Sequence, residues 1–415
     1  MRCLWISRYL PYPLDAGAKV YSAQLALALA HTGAYVRVLG YGSADAVPPE
    51  ARSIDWISVP ADRRKAVTAL ASHLPIAAAI DATRAYRTLL QQQLREAWDV
   101  IVFDGYGTGW ALERCIAYRR HARNTVLVHV SHNHESVLWA AMARDARLPW
   151  IKRVALWSNA RKVARLENAL VRHTDLLTTI TAEDRALLGG ELSSDCVVTL
   201  TPGYDGPLVR TRSIDADTPR RVLIVGSFRW IVKQENLTRF VELADPVLHR
   251  SGIELHVVGD VPDELRAQLE PRCHATVFHG FVSDLTAIAA SARIAIVPEH
   301  IGGGFKLKFL DYMFARVPVA TLTQATSGLP PELRTHTLQR ETLADLAYAL
   351  PEYIDRLDAL NRLQNGAFDV AQSLFRWSDR GSELRKAIAR AHDERASTDP
   401  QAESVSAFAI EPTHL

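Results

Sequence analysis

The sequence is poor in cysteine and has no long apolar run. Its four cysteines, Cys3, Cys115, Cys196 and Cys273, lie far apart and form neither a CxxC pair nor a Cys/His ligand spacing, which argues against a disulfide framework and a zinc site. No segment offers the roughly 18 uninterrupted apolar residues of a membrane-spanning helix. The start, MRCLWISRYLPYP, has too short an apolar run for a signal peptide. We therefore expect a cytoplasmic protein with reduced thiols.

The sequence also lacks a net charge of either sign. Its 48 Lys and Arg are balanced by 46 Asp and Glu, for a formal net charge of +2, so the composition does not predict a nucleic-acid partner. Apolar residues make up 48% of the 415 positions, enough for a filled core, and the length favours two domains. No GxGxxG follows the first apolar run, which argues against a dinucleotide-dependent oxidoreductase.

Short β-rich runs alternate with longer helical patterns along the chain. This alternation predicts an α/β fold with parallel sheets joined by helical crossovers. The predicted strands lie near residues 2–7, 35–42, 99–107, 124–132, 175–181, 196–200, 221–228, 254–260, 275–282 and 292–299. A long helical region is predicted over about 136–173, and Thr181 with Asp184 resembles a helix N-cap. The pattern predicts two doubly wound domains.

A polar, turn-rich stretch, GPLVRTRSIDADTP, separates the two alternating halves. The predicted organisation is an N-terminal domain over 1–205, a linker over 206–219 and a second domain over 220–375. A helix over 376–395 is expected to pack back on the first domain, and 396–415 is expected to be a disordered tail. In two doubly wound domains, a ligand binds at the carboxyl ends of strands, in the cleft between the domains.

The stretch VPEHIGGGFKLKFLDYMFARVPVATL, residues 297–322, combines glycines and lysines between a predicted strand and a predicted helix. Glycines let backbone approach a ligand closely, and a helix start with Lys306 and Lys308 beside it favours an anion such as phosphate. Asp311, on the same helix face as Lys308, could accept sugar hydroxyls. These residues suggest a sugar-nucleotide site. A plain glycine turn with two solvated lysines is the alternative.

Several stretches, in the same order along the chain, resemble glycosyltransferase family 4 of the GT-B fold. They are PYPLDAGAKVYSAQLALALA, SHNHESVLW, TPGYD, VLIVGSFRW and the block from FHGFV to TSGL, which is most similar to the branch that reads GGG-[TF]-[RK]-LK-x-L-E. The resemblance covers most of residues 1–390. It implies two Rossmann-like domains that face a central cleft. It also implies transfer of a sugar from a nucleoside diphosphate to a hydroxyl acceptor, with retention at the anomeric carbon.

The resemblance assigns donor-binding roles in the second domain. Asp311 falls where the family has the acid that contacts ribose, while Gly303 stands where the family has its other acid, and Glu299 is a less favoured replacement. Gly304, Phe305, Lys306 and Lys308 fall in the phosphate-binding turn, and Gly226 and Ser227 follow the first strand. Of the family's basic pair, Lys233 matches the lysine, whereas Ser227 occupies the arginine position. Arg229 is the nearest substitute, with an ordinary surface role as the alternative.

On the acceptor side, the resemblance assigns Gly17 and Ala18 to the tight turn after the first strand. It assigns His132 to the histidine near the donor sugar, with His129 and His134 as the competing histidines. Asn133 and Glu135 belong to the stretch similar to HNxES. His129 falls inside a strand, which is typical of a core residue. Glu135 could equally be an acid that is favoured at a helix start.

No metal or other cofactor is expected, because no DxD lies in a plausible donor loop and DAD at 215–217 falls in the linker. The expected partners are a nucleoside-diphosphate sugar and an unidentified hydroxyl acceptor, either lipid-linked or a small molecule. Residues 144–172, rich in Lys and Arg and with two tryptophans, form either a membrane-surface face or an ordinary helix. A catalytically silent sugar-nucleotide-binding homologue and a sugar-nucleotide epimerase remain alternative functions.

Overall fold

The structure, a computed structural model, describes residues 1–60, 62–65, 69, 71–145, 150–190, 192, 194–282, 284–300 and 304–398. The chain divides into two units. Unit 1 comprises Met1–Leu14, Ala18–Leu200 and the chain from Ser378 onward; unit 2 comprises Asp15–Gly17 and Thr201–Trp377. The stretch predicted as a linker is therefore part of unit 2. There Arg212 Nη1 donates to the backbone oxygen of Arg316 at 2.6 Å, and Ile214 is buried.

Unit 1 is built on a seven-stranded parallel sheet. Its strands are β1 (Arg2–Tyr9), β2 (Tyr35–Tyr41), β3 (Asp55–Ser58), β4 (Val100–Asp104), β5 (Val126–Val130), β6 (Leu176–Thr179) and β7 (Val197–Thr199). They lie in the order β3-β2-β1-β4-β5-β6-β7. The central strands β4 and β5 are buried along their whole length, as expected for a parallel sheet that is covered on both faces by helices.

The α-helices of unit 1 up to residue 200 are α1 (Gly17–His31, in this unit from Ala18 onward), α2 (Ile76–Asp81), α3 (Arg84–Gln93), α4 (Leu112–Arg119), α5 (Glu135–Asp145), α6 (Trp150–His173) and α7 (Ala182–Leu188). The helical prediction over 136–173 has the right type, but the region forms two helices. The predicted cap is confirmed, since Thr181 Oγ1 accepts from the backbone N–H of Asp184 at 2.9 Å.

Unit 2 repeats this plan with six parallel strands. They are β8 (Arg221–Val225), β9 (Glu254–Val258), β10 (Thr276–Gly280), β11 (Ile294–Val297), β12 (Val319–Leu322) and β13 (Thr337–Arg340), in the order β10-β9-β8-β11-β12-β13. Its helices are α8 (Ile231–Arg250), α9 (Asp263–Leu269), α10 (Thr286–Ser291), α11 (Lys308–Phe314), α12 (Pro331–Arg334), α13 (Leu343–Tyr353) and α14 (Leu357–Leu374). The predicted pair of doubly wound, Rossmann-like sheets is confirmed.

The last helix, α15 (Trp377–Thr398), belongs to unit 1 from Ser378 onward. On that unit, Arg385 donates to the backbone oxygen of Thr32, and Arg395 Nη1 lies 2.7 Å from Asp175 Oδ1. The helix includes the first three residues of the predicted tail, and 399–415 lie outside the described residues. No helix in the described part of the chain is long and apolar enough to cross a membrane.

In each sheet the strand order reverses beside the first strand, between β1 and β4 in unit 1 and between β8 and β11 in unit 2. At such a switch point the two crossovers leave in opposite directions, which opens a crevice at the carboxyl ends of the strands where ligands bind. The residues considered below gather at these two places.

Candidate functional site

In unit 2, a buried ion pair lies beside the carboxyl end of β11. Glu299 follows this strand closely, and Lys308 is the first residue of α11. Lys308 Nζ lies 2.6 Å from Glu299 Oε1, and the two side chains are only 12% and 10% exposed. Burial by itself would raise the pKa of Glu299, but the charge and hydrogen bond of Lys308 outweigh it and lower that pKa. Glu299 is therefore an ionised counterion inside the unit.

Lys233, on α8, belongs to the same charged cluster. Burial and then the positive charge of Lys308 lower its pKa, while Glu299 opposes the shift. Gly226 comes directly after β8, and a Cβ built there would lie 3.5 Å from Lys308 Nζ. Ser227 follows and is half-buried. Two ammonium groups and one carboxylate thus share the switch point of unit 2, with a net charge of +1.

Asp311 is the exposed residue of a helix whose other side chains are mostly buried. Its carboxyl group is bordered by protein on its inner side, and this desolvation raises its pKa to about 6, although the charge of Lys308 opposes the shift. Lys306 Nζ donates to the backbone oxygen of Gly304 at 2.8 Å, and the Phe305 ring lies 5.6 Å from that of Phe375. Gly303 lies outside the described residues.

Arg229 is not buried with the two lysines. Its side chain is 79% exposed and forms an ion pair with Asp260. The cation that interacts with Lys233 is Lys308, whereas Arg229, the residue predicted for this place, stands at the surface of the unit. The other sequence-predicted donor residues in the described part of the chain lie around the carboxyl ends of β8 and β11.

In unit 1, a cavity of about 140 Å³ lies at the carboxyl ends of β1, β4 and β5. It is lined by side chains and backbone from these strands and from the helices that follow them. The lining includes Ser7, Arg8, Tyr9, Ala18, Lys19, Ser22, Asp104, Gly105, Tyr106, Gly107, His129, His132, Asn133, Glu135 and Glu167. Four of the predicted acceptor-side or catalytic residues, Ala18, His132, Asn133 and Glu135, are therefore brought together here. Gly17 is the first residue of α1.

A buried carboxylate that sequence reasoning missed holds His132. Asp104 Oδ1 lies 2.7 Å from His132 Nε2. The same carboxyl group accepts from Ser22 Oγ at 3.0 Å and from Ser7 Oγ at 2.9 Å. The sequence did contain a signal, because Asp104 ends the apolar run VIVFD, and an acid at the end of a buried parallel strand lies at the ligand-binding edge.

The pairing of Asp104 and His132 favours the charged form of each group. Burial opposes protonation of His132, but the hydrogen bond and charge of Asp104 raise its pKa. Burial would raise the pKa of Asp104, and His132 more than reverses this. Nδ1 of His132 is buried and has no hydrogen-bond partner in the described part of the chain. Gly105, with φ at +77°, packs against the imidazole, and a Cβ there would be 3.5 Å from His132 Cδ2.

Two further carboxylates lie at the start of α5. Glu167 accepts from the backbone N–H groups of Glu135 and Ser136 at 2.8 and 3.0 Å, so its role is to cap this helix. Glu135 accepts from Asn133 Nδ2 at 3.1 Å. Burial, with a further contribution from Glu167, raises the pKa of Glu135. Glu135 is thus more than an exposed helix-start acid, because its carboxyl group lines the cavity.

The competing histidines differ from His132. His129 is buried within β5, and burial lowers its pKa to about 4, so it is neutral near pH 7. His134 donates its backbone N–H to Asp184 at 3.3 Å, and its ring Nε2 lies 3.8 Å from Glu167. Neither ring contacts Asp104 in the way that His132 does. In the described ranges, no group of three His, Cys, Asp or Glu side chains is arranged to hold a metal ion.

Comparisons with known proteins agree with this geometry. Residues 219–355 match the family profile described as "Glycosyl transferases group 1". Sucrose-phosphate synthase from Thermosynechococcus elongatus has a similar structure, with a TM-score of 0.69 and 17% identity over 95% of this chain and 100% of that one. A search of curated protein sequences finds no significant match.

Two further solved structures resemble the chain. The Anabaena protein HepE, in complex with UDP and glucose, has a TM-score of 0.62 and 11% identity over 94% of this chain and 100% of its own. WaaG, a glycosyltransferase involved in lipopolysaccharide biosynthesis, has a TM-score of 0.60 and 17% identity over 92% and 99% of the two chains. The chain thus shares the fold of GT-B glycosyltransferases, and residues 219–355 of unit 2 match the glycosyl transferases group 1 profile.

Proposed function

We propose that the chain transfers a sugar from a nucleoside-diphosphate sugar to an acceptor hydroxyl, with retention at the anomeric carbon. One observation carries this proposal: Lys233 and the buried pair of Lys308 and Glu299 share the switch point of a glycosyl transferases group 1 domain. Because the pair holds Lys308 in place, the ammonium groups need not reorganise when a diphosphate binds. Fixed cations of this kind stabilise the charge that develops on a departing diphosphate.

The donor is assigned to the residues around this cluster. Lys233 and Lys308 bind the diphosphate, with Gly226, Ser227, Gly303, Gly304, Phe305 and Lys306 around it, and Asp311 accepts the ribose hydroxyls. Asp311 suits this role because it is the exposed carboxyl group of α11. Solved structures of similar fold, named as complexes with UDP or UDP-glucose, make UDP the first nucleotide to test.

The reaction needs neither a metal ion nor a covalent enzyme intermediate in this proposal. The bond between the anomeric carbon and the diphosphate oxygen breaks, and the lysines stabilise the charge left on that oxygen. The acceptor oxygen attacks from the same face and passes its proton to the departing diphosphate. Full activity in excess EDTA is the expected result, and a requirement for added Mg²⁺ or Mn²⁺ would overturn metal independence.

The acceptor is assigned to the cavity of unit 1. His132 presents Nδ1, and Glu135 presents a carboxyl group of raised pKa. Both can hydrogen-bond a hydroxyl group. Asp104 keeps a proton on His132 Nε2 and so sets how the ring is oriented. Gly17 and Ala18, at the start of α1, supply backbone at the same edge of the sheet.

The test combines donor binding with turnover. Thermal shift with UDP, GDP, dTDP and ADP and their sugar conjugates identifies the nucleotide, because a ligand that binds only the folded state raises the melting temperature. Lys233→Met and Lys306→Ala are expected to reduce the shift. Lys386→Met, which changes an exposed lysine of α15, is the matched control. No shift with any nucleotide would overturn the proposed donor site.

A second function, donor binding without transfer, is favoured by one observation. Arg229 is exposed and paired with Asp260, so the arginine that would complete the family's basic pair is not at the cluster. Slow hydrolysis of the bound sugar nucleotide by the wild type, abolished in Lys233→Met, would exclude a silent binding protein. A product formed from the donor alone, with the nucleotide retained on the sugar, would indicate an epimerase.

A further inference from the structure

Three positively charged side chains gather around one aromatic ring at the carboxyl end of β1. From the centre of the Tyr9 ring, Arg63 Cζ lies 4.6 Å away, Arg8 Cζ 5.2 Å and Lys19 Nζ 5.9 Å. The ring face attracts each cation, but like charges at this spacing also repel one another. Such a group is most stable when negative charge is close by.

One buried carboxylate supplies part of that negative charge. Asp81 is fully buried; its Oδ2 lies 2.7 Å from Arg8 Nε, and its Oδ1 lies 2.5 Å from Arg63 Nε. A single carboxylate thus anchors two guanidinium groups and balances one of their two positive charges. Of the carboxylates across the cavity, Asp104 is paired with His132, Glu167 accepts from the start of α5, and Glu135 accepts from Asn133 Nδ2. Arg8 and Arg63 together therefore carry one more charge than the Asp81 carboxylate that binds them.

Arg8 is held so that its outer nitrogens remain available to a ligand. It uses Nε to bind Asp81, and in the described part of the chain its two terminal nitrogens have no hydrogen-bond partner. The side chain is 26% exposed and lines the cavity. Gly107 makes room for it, because a Cβ at this position would lie 2.6 Å from Arg8 Cδ. The arginine is therefore positioned by its surroundings before any ligand arrives.

The other wall of the same cavity suits hydroxyl groups. His132, Asn133 and Glu135 line it, and they offer an imidazole, an amide and a carboxyl group as hydrogen-bond partners. A molecule that fills the cavity thus meets a guanidinium at one end and hydroxyl-binding groups at the other. A polyol that carries a phosphate has this division of charge, and the planar guanidinium fork matches phosphate oxygens better than an ammonium does.

We propose that Arg8, assisted by Arg63 and Lys19, binds a phosphate group on the acceptor, so that the acceptor is a phosphorylated polyol. This inference rests on the proposed function for the identity of the ligand as an acceptor. The phosphate belongs either to a soluble polyol phosphate or to the headgroup of a phospholipid. Both present the same phosphate and hydroxyl chemistry to the cavity.

The experiment is calorimetric titration of the full chain with glycerol 3-phosphate, inorganic phosphate and glycerol. Saturating UDP is included so that the donor site is not available to phosphate. We expect saturable binding of glycerol 3-phosphate and none of glycerol. Arg8→Met is expected to weaken the binding by about tenfold or more, as loss of a charge-assisted bidentate contact requires. Arg120→Met, at an exposed arginine directly after α4, is the matched control and should leave the affinity unchanged.

Two further variants keep the test decisive if Arg8→Met folds poorly because Asp81 loses a partner. Arg8→Lys retains the charge but loses the fork, and its affinity should lie between those of the wild type and Arg8→Met. Lys19→Met lies outside the Asp81 pairs and should weaken binding by about threefold to tenfold. Absence of saturable binding of both glycerol 3-phosphate and inorganic phosphate, or binding that Arg8→Lys and Lys19→Met leave unchanged, would overturn the proposal.

Additional measurements distinguish a soluble phosphate from a lipid phosphate. They also distinguish failure of this proposal from failure of the proposed function. Phosphatidylglycerol in bicelles, compared with phosphatidylcholine, tests the headgroup; tighter Arg8-dependent binding to phosphatidylglycerol than to glycerol 3-phosphate would assign the phosphate to a lipid. UDP affinity is measured on every variant. If UDP does not bind the wild type, the proposed function fails, whereas Arg8-dependent binding of glycerol 3-phosphate would still support the anion subsite.

Discussion

Lys308 and Glu299 form an ion pair of 2.6 Å between side chains that are almost fully buried. Their positions in the sequence differ by nine, and the pair connects the end of β11 to the start of α11. Because Glu299 neutralises one lysine in place, the cluster carries a moderate positive charge instead of two adjacent uncompensated ammonium groups. A donor diphosphate would enter a site whose cations are already oriented.

Removal of one member of this pair is expected to destabilise unit 2. Lys308→Met leaves an unpaired buried carboxylate, which typically costs about 3–5 kcal/mol. Urea unfolding, monitored by the fluorescence of a probe engineered into unit 2, would measure this loss of stability. The double variant Lys308→Met with Glu299→Gln should recover much of that stability while UDP affinity stays low. Equal destabilisation by the single and double variants would contradict the pairing.

The raised pKa of Asp311, about 6, predicts a pH dependence of donor binding. Above pH 6 the carboxylate is ionised and accepts ribose hydroxyls strongly, so affinity should fall as the pH drops through about 6. UDP-glucose is the suitable probe, because its diphosphate does not titrate in this range. Asp311→Asn should weaken binding at neutral pH and flatten the profile. A profile that is unchanged in Asp311→Asn would assign the titration to another group.

The raised pKa of Asp311 also makes the stability of the chain depend on pH, in the direction opposite to that expected for donor binding. Asp311 binds a proton more tightly in the folded chain than in the unfolded one, so the free energy of unfolding should fall as the pH rises from about 4 to about 6. Asp311→Asn removes this contribution. Unfolding curves of the two proteins at several pH values provide the measurement, and Asp205→Asn, at an exposed aspartate of unit 2, serves as the control.

Asp104 is expected to set the charge of His132. Asp104→Asn keeps the shape but removes the negative charge, so the pKa of His132 should fall, because burial and the charge of Arg8 lower it and only the charge of Glu135 still raises it. The chemical shift of the His132 ring proton against pH measures this directly. Mutation of His132 identifies the resonance. A His132 pKa that does not change would show that Asp104 does not control the ring.

The pair also predicts a pH window of stability. The lowered pKa of Asp104 contributes stability above about 3.9 that is lost as the pH falls through the folded value. The raised pKa of His132 contributes stability below about 6.5 that is lost as the pH rises through its folded value. The contribution of the pair is therefore complete between about pH 4 and 6.5, and Asp104→Asn should remove it.

We propose that one stripe of α6 forms the predicted membrane-surface face. Trp150, Val154 and Trp157 are exposed by 73%, 59% and 41%, and exposed Lys152 and Arg153 lie beside them. We expect the chain to sediment with anionic phosphatidylglycerol vesicles and not with phosphatidylcholine, and Trp150→Ala with Trp157→Ala to reduce this by about tenfold. Trp230→Ala in unit 2, where the side chain is also 41% exposed, is the control. Equal sedimentation of all three proteins would contradict a membrane role for this stripe.

Local patterns were sufficient to predict much of the fold. The alternation of apolar strands and longer helical segments predicted the two parallel sheets, and the glycine–lysine stretch was correctly placed between β11 and α11. The division of the helical region between α5 and α6 was missed because both helices have the same periodicity. The roles of the donor residues came from resemblance and stay predictions. Arg229 illustrates the limit, since sequence position could not show that Asp260 would engage it at the surface.

The sequence by itself determined the strand and helix content and the switch-point architecture, because these follow from local periodicity and from the rules that connect parallel strands. Only the tertiary structure decided which charges meet. Asp104 and His132 are 28 residues apart, and Arg8 and Asp81 are 73 apart. Strand order brings these groups to one edge, and burial makes their pairing obligatory, because an isolated charge inside the protein is strongly unfavourable. No local pattern encodes that combination.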